Sequence, residues 1–263
     1  KRTWVAAMLP PTTDADEPPI GIMAAMPVEV AKLQEHVTDK EEHSFGKVFT
    51  FTTGKLCGRP VVFAPANVGV VFAGSVATTM INVFKVQAIV FTGVAGGLKA
   101  GQAIGELVLG ADVVNYEMDC RGFVLPFEPD YRYQLGELPF LKWRFYAAHP
   151  EMLALAQAAP VPAGVKLSSG RIASGSVFVT GEQKKSMRES VWAPLGHPDA
   201  CEMENAGVAQ ICYAYDTPYL SVRALSDLID GDANDDFNAF CEQAANNVFP
   251  IVEHVVKHLK LAA

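Results

Sequence analysis

The stretch CEMENAGVAQICY, residues 201–213, sets two carboxylates, Glu202 and Glu204, at the mouth of an otherwise apolar segment. A buried carboxylate without a partner loses several kcal/mol of solvation. Either a ligand, a cation or a hydrogen-bond network satisfies these acids, or this end of the segment is solvated. Other acids stand in similar places. Glu29 follows the apolar run IGIMAAM and falls in the first turn of a helical pattern, where the dipole favours a carboxylate in any case. Asp227 ends the apolar run YLSVRAL with Ser226 beside it, a pair that equally suits a helix cap. The glycine-rich TGVAGGL, residues 92–98, lets backbone approach a ligand or another strand, but it is neither GxGxxG nor a phosphate loop followed by Lys-Ser or Lys-Thr. Carboxyls in differently tuned environments are what general acid and general base chemistry requires.

Composition narrows the ligand class. The chain has 263 residues, half of them hydrophobic and only 19% charged, which is enough for a sizeable core in one large α/β domain. No apolar run is long enough to span a bilayer. The net charge of -8 comes without an acidic tract, and Lys and Arg form no basic stripe, so neither nucleic acid nor an anionic membrane is the expected partner. A small molecule is. The five cysteines, Cys57, Cys120, Cys201, Cys212 and Cys241, lack CxxC spacing and read as reduced, mostly core thiols. Residues 1–19 end in a Pro- and Asp-rich segment that cannot bury a core; they are expected to form a tail, with residues 20–263 as one domain. The cytoplasm is the default location, and this atypical N-terminal segment keeps export open.

The elements that must position the acids alternate. IGIMAAM is a short strand and PVEVAKLQEHV a helix with Pro at its start. KVFTFTTGKLCGRPVVFAPA is a β-hairpin, residues 74–86 a small-residue helix, and residues 87–98 a buried strand running into a glycine-rich loop. Strands follow at GELVLGADVVNYEMD, at residues 166–179 and at 219–230, with a helix at EMLALAQAAP and a long C-terminal one. Such alternation predicts a three-layer α/β/α domain around a mixed, mostly parallel twisted sheet. Ligands in such sheets sit at the carboxyl ends of strands. That rule selects six places: after Met26, after Ala66, at Gly93–Gly97, at Gly175–Val179, at Glu202–Glu204 and at Ser226–Asp227.

Together the motifs AAMPVEV, TGVAGGL, EMENAGVA and VRALSDLIDG, in that order, resemble the purine nucleoside phosphorylase and nucleosidase superfamily. Within it they look most like the 5'-methylthioadenosine/S-adenosylhomocysteine nucleosidases, over residues 20–261. The resemblance implies hydrolysis of an adenine N-glycosidic bond with no metal or organic cofactor. It implies that Glu29 activates the attacking water, that Glu204 with Met203 beside it holds the ribose diol, and that Asp227, next to Ser226, protonates the departing adenine. It places Arg223 near water and ribose, Gly96 in the glycine loop, Phe178 on the base and the Val179 backbone at the base edge. Met26, Val68, Phe123 and Phe237 match its apolar 5' pocket. Cys120 and Phe123, in the aromatic-rich excursion 121–145, match residues lent to the neighbouring subunit of a homodimer.

The chemistry agrees with so many acids, since N-glycosidic cleavage builds positive charge on the ribose ring, which carboxylates stabilise. Glu202, one step outward from Glu204, is expected to face another direction and to support the site or nothing. Val94 and Asn205 depart from the family's pattern, the first where some relatives carry a hydroxyl and the second where a small Ala or Gly is common, which is expected to tighten or re-aim the turn into the helix. Two alternatives stand beside hydrolysis. A phosphorylase of the same superfamily needs arginines for a phosphate dianion, and AAMPVEV has none. A catalytically idle nucleoside-binding or storage relative would have no need of all three acids.

Overall fold

The computed structural model describes residues 17–229 and 233–261, and within 233–245 only the side chains of residues 240, 243 and 244. The chain opens with β1 (Ile20–Ala24), a single 3-10 turn (Pro27–Val30) and α1 (Ala31–His36). A three-stranded meander follows: β2 (Thr38–Phe45), β3 (Phe49–Leu56) and β4 (Arg59–Pro65). The β3–β4 hairpin turns on Cys57 and Gly58, both at positive φ (53° and 78°), the backbone a tight two-residue hairpin requires. β2, TDKEEHSF, is an exposed, charged edge strand that the sequence pattern did not reveal. Its charges guard an open edge.

Then come α2 (Val70–Asn82), β5 (Ala88–Gly97), β6 (Leu107–Asn115), β7 (Tyr146–Ala147), α3 (Pro150–Gln157), β8 (Leu167–Ser174), α4 (Gly181–Ser186), β9 (Ala200–Glu202), α5 (Asn205–Ala214), β10 (Tyr219–Asp227) and α6 (Ala233–His258). β1 lies between β4 and β5, parallel to both. β5 pairs in parallel with β10, β10 antiparallel with β6, β6 and β8 in parallel, β8 and β9 in parallel, and β9 returns antiparallel to the end of β5. Five strands thus close a ring, and β1, β4, β3 and β2 fan away from it. The domain is α/β with a mixed sheet, more antiparallel than strand–helix alternation alone conveys.

Alternation along β5 divides the core. Val90 faces the layer of α1, α3 and α6, with Leu33, Met152 and Ile251. Ile89 and Phe91 face α2 and α5, with Val76, Val208 and Cys212. Helices α2 and α5 cross so closely that a Cβ on Gly207 would lie 2.1 Å from the Val70 carbonyl oxygen. Of the described cysteines, Cys201 and Cys212 are buried free thiols, Cys120 is half-buried and Cys57 is exposed.

One expectation is corrected here. Gly93–Gly97 is not a loop but the buried second half of β5, continuous with the strand and paired to β10 and β9. Glycine is needed because other side chains occupy the space beside the strand. A Cβ at Gly93, whose φ is +145°, would lie 2.5 Å from Glu29 Oε1 and 2.6 Å from Arg223 Nη1. Most of the expected N-terminal tail lies outside the described residues. Its last residues touch the domain: Glu17 pairs with Arg59, and the Pro19 carbonyl accepts the Gln87 N–H at 2.9 Å. Among the described residues no helix is long and apolar enough to cross a membrane.

Candidate active site

The carboxyl ends of β1, β5, β8, β9 and β10 open onto one cavity of about 350 Å³. All six places selected from the sequence meet there: Met26 and Glu29, Val68, Val94–Gly96, Val177–Val179, Glu202–Glu204, and Ser226 with Asp227 line it. Four of the lining side chains are acids, and none among the described residues is Lys or Arg. The rest are mostly apolar.

Glu29 is fixed by the turn that carries it. Pro27 starts the 3-10 turn, Met26 N–H donates to Glu29 Oε2 at 2.7 Å, and Val94 N–H from β5 donates to Oε1 at 2.9 Å. Burial pushes its carboxyl above the usual range, opposed by the Arg223 guanidinium. Burial thus raises its affinity for a proton, the direction a general base needs, while the backbone bonds that hold it act the other way. Val94 offers no side-chain hydroxyl here, and its backbone N–H is the donor it supplies.

Glu204 precedes α5, and its Oε1 accepts the Gly69 N–H at 3.0 Å, joining the site to the start of α2. Burial, and then the neighbouring Glu202 charge, push its carboxyl up to about 8. Glu202 lines the same cavity, but its carboxylate is engaged within the wall. Its carboxylate accepts the N–H groups of Glu204 (3.1 Å) and Asn205 (2.9 Å) and pairs with Arg223 Nη2 at 3.1 Å. It caps α5 and anchors the arginine.

Arg223 is fully buried and lies behind the wall. Its Nη1 donates to the Thr92 carbonyl at 3.2 Å and its guanidinium lies 4.0 Å from the centre of the Phe91 ring. Asn205, which departs from the family's small residue, sits among Ser221, Tyr219 and this arginine; with its oxygen towards Arg223 it accepts from Nε and Nη2 at 3.2 Å. Asn205 is thus a polar plug between Tyr219, Ser221 and Arg223.

Asp227 ends β10 and is 4% exposed. Ser226 Oγ donates to its Oδ1 at 2.9 Å, and Lys184 Nζ donates to its Oδ2. The sequence analysis did not single out Lys184, which lies in the polar segment GEQKKS. A signal did exist in TxxQ, the box in which Thr180 and Gln183 cap α4.

Met26, Val68, Gly96, Phe178, Val179, Met203 and Ser226 all reach the cavity wall. Phe178 is half-exposed at its rim. Cys120 and Phe123 do not line this cavity. Phe123 stacks on Tyr133 with ring centres 6.2 Å apart and is 42% exposed. The Phe237 side chain lies outside the described residues.

The family model described as Phosphorylase superfamily matches residues 19–257. A 5'-methylthioadenosine/S-adenosylhomocysteine nucleosidase of Staphylococcus carnosus is 33% identical, over 91% of this chain and 100% of its own. The Neisseria meningitidis protein of that name, solved in complex with methylthio-immucillin-A, superimposes with a TM-score of 0.83 at 29% identity, covering 92% of this chain and 100% of that one. A futalosine hydrolase of Helicobacter pylori gives a TM-score of 0.79 at 31% identity, covering 91% of this chain and 97% of that one.

Proposed function

Since the chain belongs to the phosphorylase superfamily, among its 5'-methylthioadenosine/S-adenosylhomocysteine nucleosidases, we propose that it hydrolyses the adenine N-glycosidic bond of these two nucleosides. The observation that carries this reading is the cavity wall, with Glu29, Glu202, Glu204 and Asp227 on it and no described Lys or Arg. Phosphate would meet four acids there. A developing oxocarbenium ion would instead meet the carboxyl oxygens that can stabilise it.

Each acid takes one task. Glu29, with one lone pair of each oxygen tied to the backbone of Met26 and Val94, directs the remainder at a water and accepts its proton. Glu204, held by Gly69, receives the ribose diol, and Met203 packs beside it. Asp227 donates to N7 of the leaving base while Phe178 stacks on the ring and the Val179 backbone meets its edge. Arg223 orders Glu202 from behind. Met26 and Val68 offer the 5'-alkylthio group an apolar wall.

The working unit is a homodimer on this reading. Phe123, Val124, Phe127, Phe140 and Leu141 are between 42% and 72% exposed within the excursion 121–145, apolar surface that a symmetric partner would cover. Cys120 and Phe123 would then face the partner's 5' pocket. The deciding experiment is adenine release from methylthioadenosine with and without phosphate. Equal rates, with free methylthioribose as product, support hydrolysis; strict phosphate dependence with a ribose 1-phosphate product refutes it.

A further inference from the structure

Lys184 has no exposed surface, and its ammonium donates to Oδ2 of Asp227. A lysine ammonium survives full burial only when it is paired, because an unpaired one loses its hydration without return. Three features place it there. Thr180 and Gln183 cap α4 reciprocally, fixing the start of the helix directly after the cavity-lining Val177–Val179. The buried indole of Trp192 donates Nε1 to the Lys184 carbonyl at 2.8 Å, holding the backbone from the other side. Gly96 leaves the space for the pair: a Cβ there would stand 2.5 Å from Nζ and 2.9 Å from Asp227 Oδ2.

Lys184 is absent from the cavity wall, on which Gly96, Ser226 and Asp227 stand. It therefore acts through Asp227. Oδ2 is engaged by the ammonium and Oδ1 by the Ser226 hydroxyl, so the carboxyl plane is gripped on both edges. We propose that Lys184 is the positioning residue of the leaving-group site: its buried ammonium aims the Asp227 carboxyl at the purine and sets a positive charge behind it. As the C1'–N9 bond breaks, its electron pair stays on the base, and negative charge builds on the side nearest this pair. The other buried cation, Arg223, serves the water and ribose side in the same way from behind Glu202. The cavity thus shows its ligand acids, with the compensating cations one residue deeper.

This inference rests on the nucleosidase reading, so the test first establishes that the wild type hydrolyses both methylthioadenosine and 4-nitrophenyl 5-methylthioriboside, whose leaving group departs without a proton. If the wild type releases no adenine, the reading itself fails. Given an active wild type, Lys184→Met should lower kcat for methylthioadenosine on the order of 10²-fold, the usual cost of misplacing a reacting group by about an ångström, with KM little changed. The nitrophenyl riboside should be hydrolysed at nearly the wild-type rate. Lys184→Gln, which can still donate to Oδ2 and serves if the methionine variant does not fold, should show the same selectivity with a smaller loss. In an Asp227→Asn background the Lys184 substitutions should add nothing further. Equal losses on both substrates, unchanged rates on both, or additive losses with Asp227→Asn would each overturn the proposal.

Discussion

Val94, in the middle of β5, donates its backbone N–H to Glu29 Oε1 at 2.9 Å, so the acid after the first strand is held by the strand beside it. The tie explains why β5 is glycine at position 93, where a Cβ would strike the same carboxylate. It also makes the orientation of Glu29 independent of the side chain at 94. Glu29→Gln keeps the shape but cannot take a proton from water, and its amide must turn one N–H towards a backbone N–H. Turnover should fall by roughly 10² to 10⁴ with an unchanged circular dichroism spectrum. Near-normal turnover would mean that the base is another residue.

Asp227→Asn should cost a similar factor, on the order of 10² to 10⁴ in kcat, while adenine still binds. The amide can bond to the base and to Ser226 but cannot protonate N7. Steady-state kinetics beside equilibrium adenine binding separates the two effects; loss of both together would point to a collapsed site.

Glu204 gives a stability prediction with a definite sign. Its folded carboxyl is pushed up to about 8 from an ordinary 4.5, by burial first and Glu202 second. The folded state then holds this proton more tightly than the unfolded chain does, so the contribution is fully present below about pH 4.5 and is lost as pH rises through about 8. Glu204→Gln, still able to accept from Gly69, should match the wild-type melting temperature near pH 4.5 and exceed it above pH 8. Parallel melting curves for the two proteins across that window would remove Glu204 as the cause.

The 5' wall sets specificity. Met26 and Val68 have no group to pair with a hydroxyl, and a buried methylthio group is worth about 1 to 3 kcal/mol in such a pocket. The ratio kcat/KM should therefore favour methylthioadenosine over adenosine by roughly 10- to 200-fold. Inosine should be poor, since Asp227 and the Val179 backbone are assigned to a base carrying an amino group. Comparing the three nucleosides on one preparation checks both; an inosine preference would overturn the base assignment.

Assembly has its own measurement. Light scattering at micromolar concentration should give twice the chain mass, and Phe123→Asp should produce monomers with a raised KM for methylthioadenosine. A wild-type monomer with full activity would show that the excursion 121–145 has a different use.

The amino-acid sequence by itself determined which segments end in acids and that those ends belong to strands. Apolar runs, Pro27 at a helix start and the order of the four motifs are local features, and local features survive without coordinates. The six strand ends chosen that way do line one cavity. Only the tertiary structure decided what stands behind the wall. Lys184 reaches Asp227 across 43 positions of chain, and Glu202 meets Arg223 because β9 and β10 both border the end of β5. Long-range pairing of this kind leaves no periodicity to read. GEQKKS has the pattern of an exposed turn, and one of its lysines is buried because Gly96 lacks a side chain and a carboxylate waits there. The glycine run misled for the same reason. Glycine usually marks a turn, but in β5 it makes room for neighbours that only the folded sheet brings near.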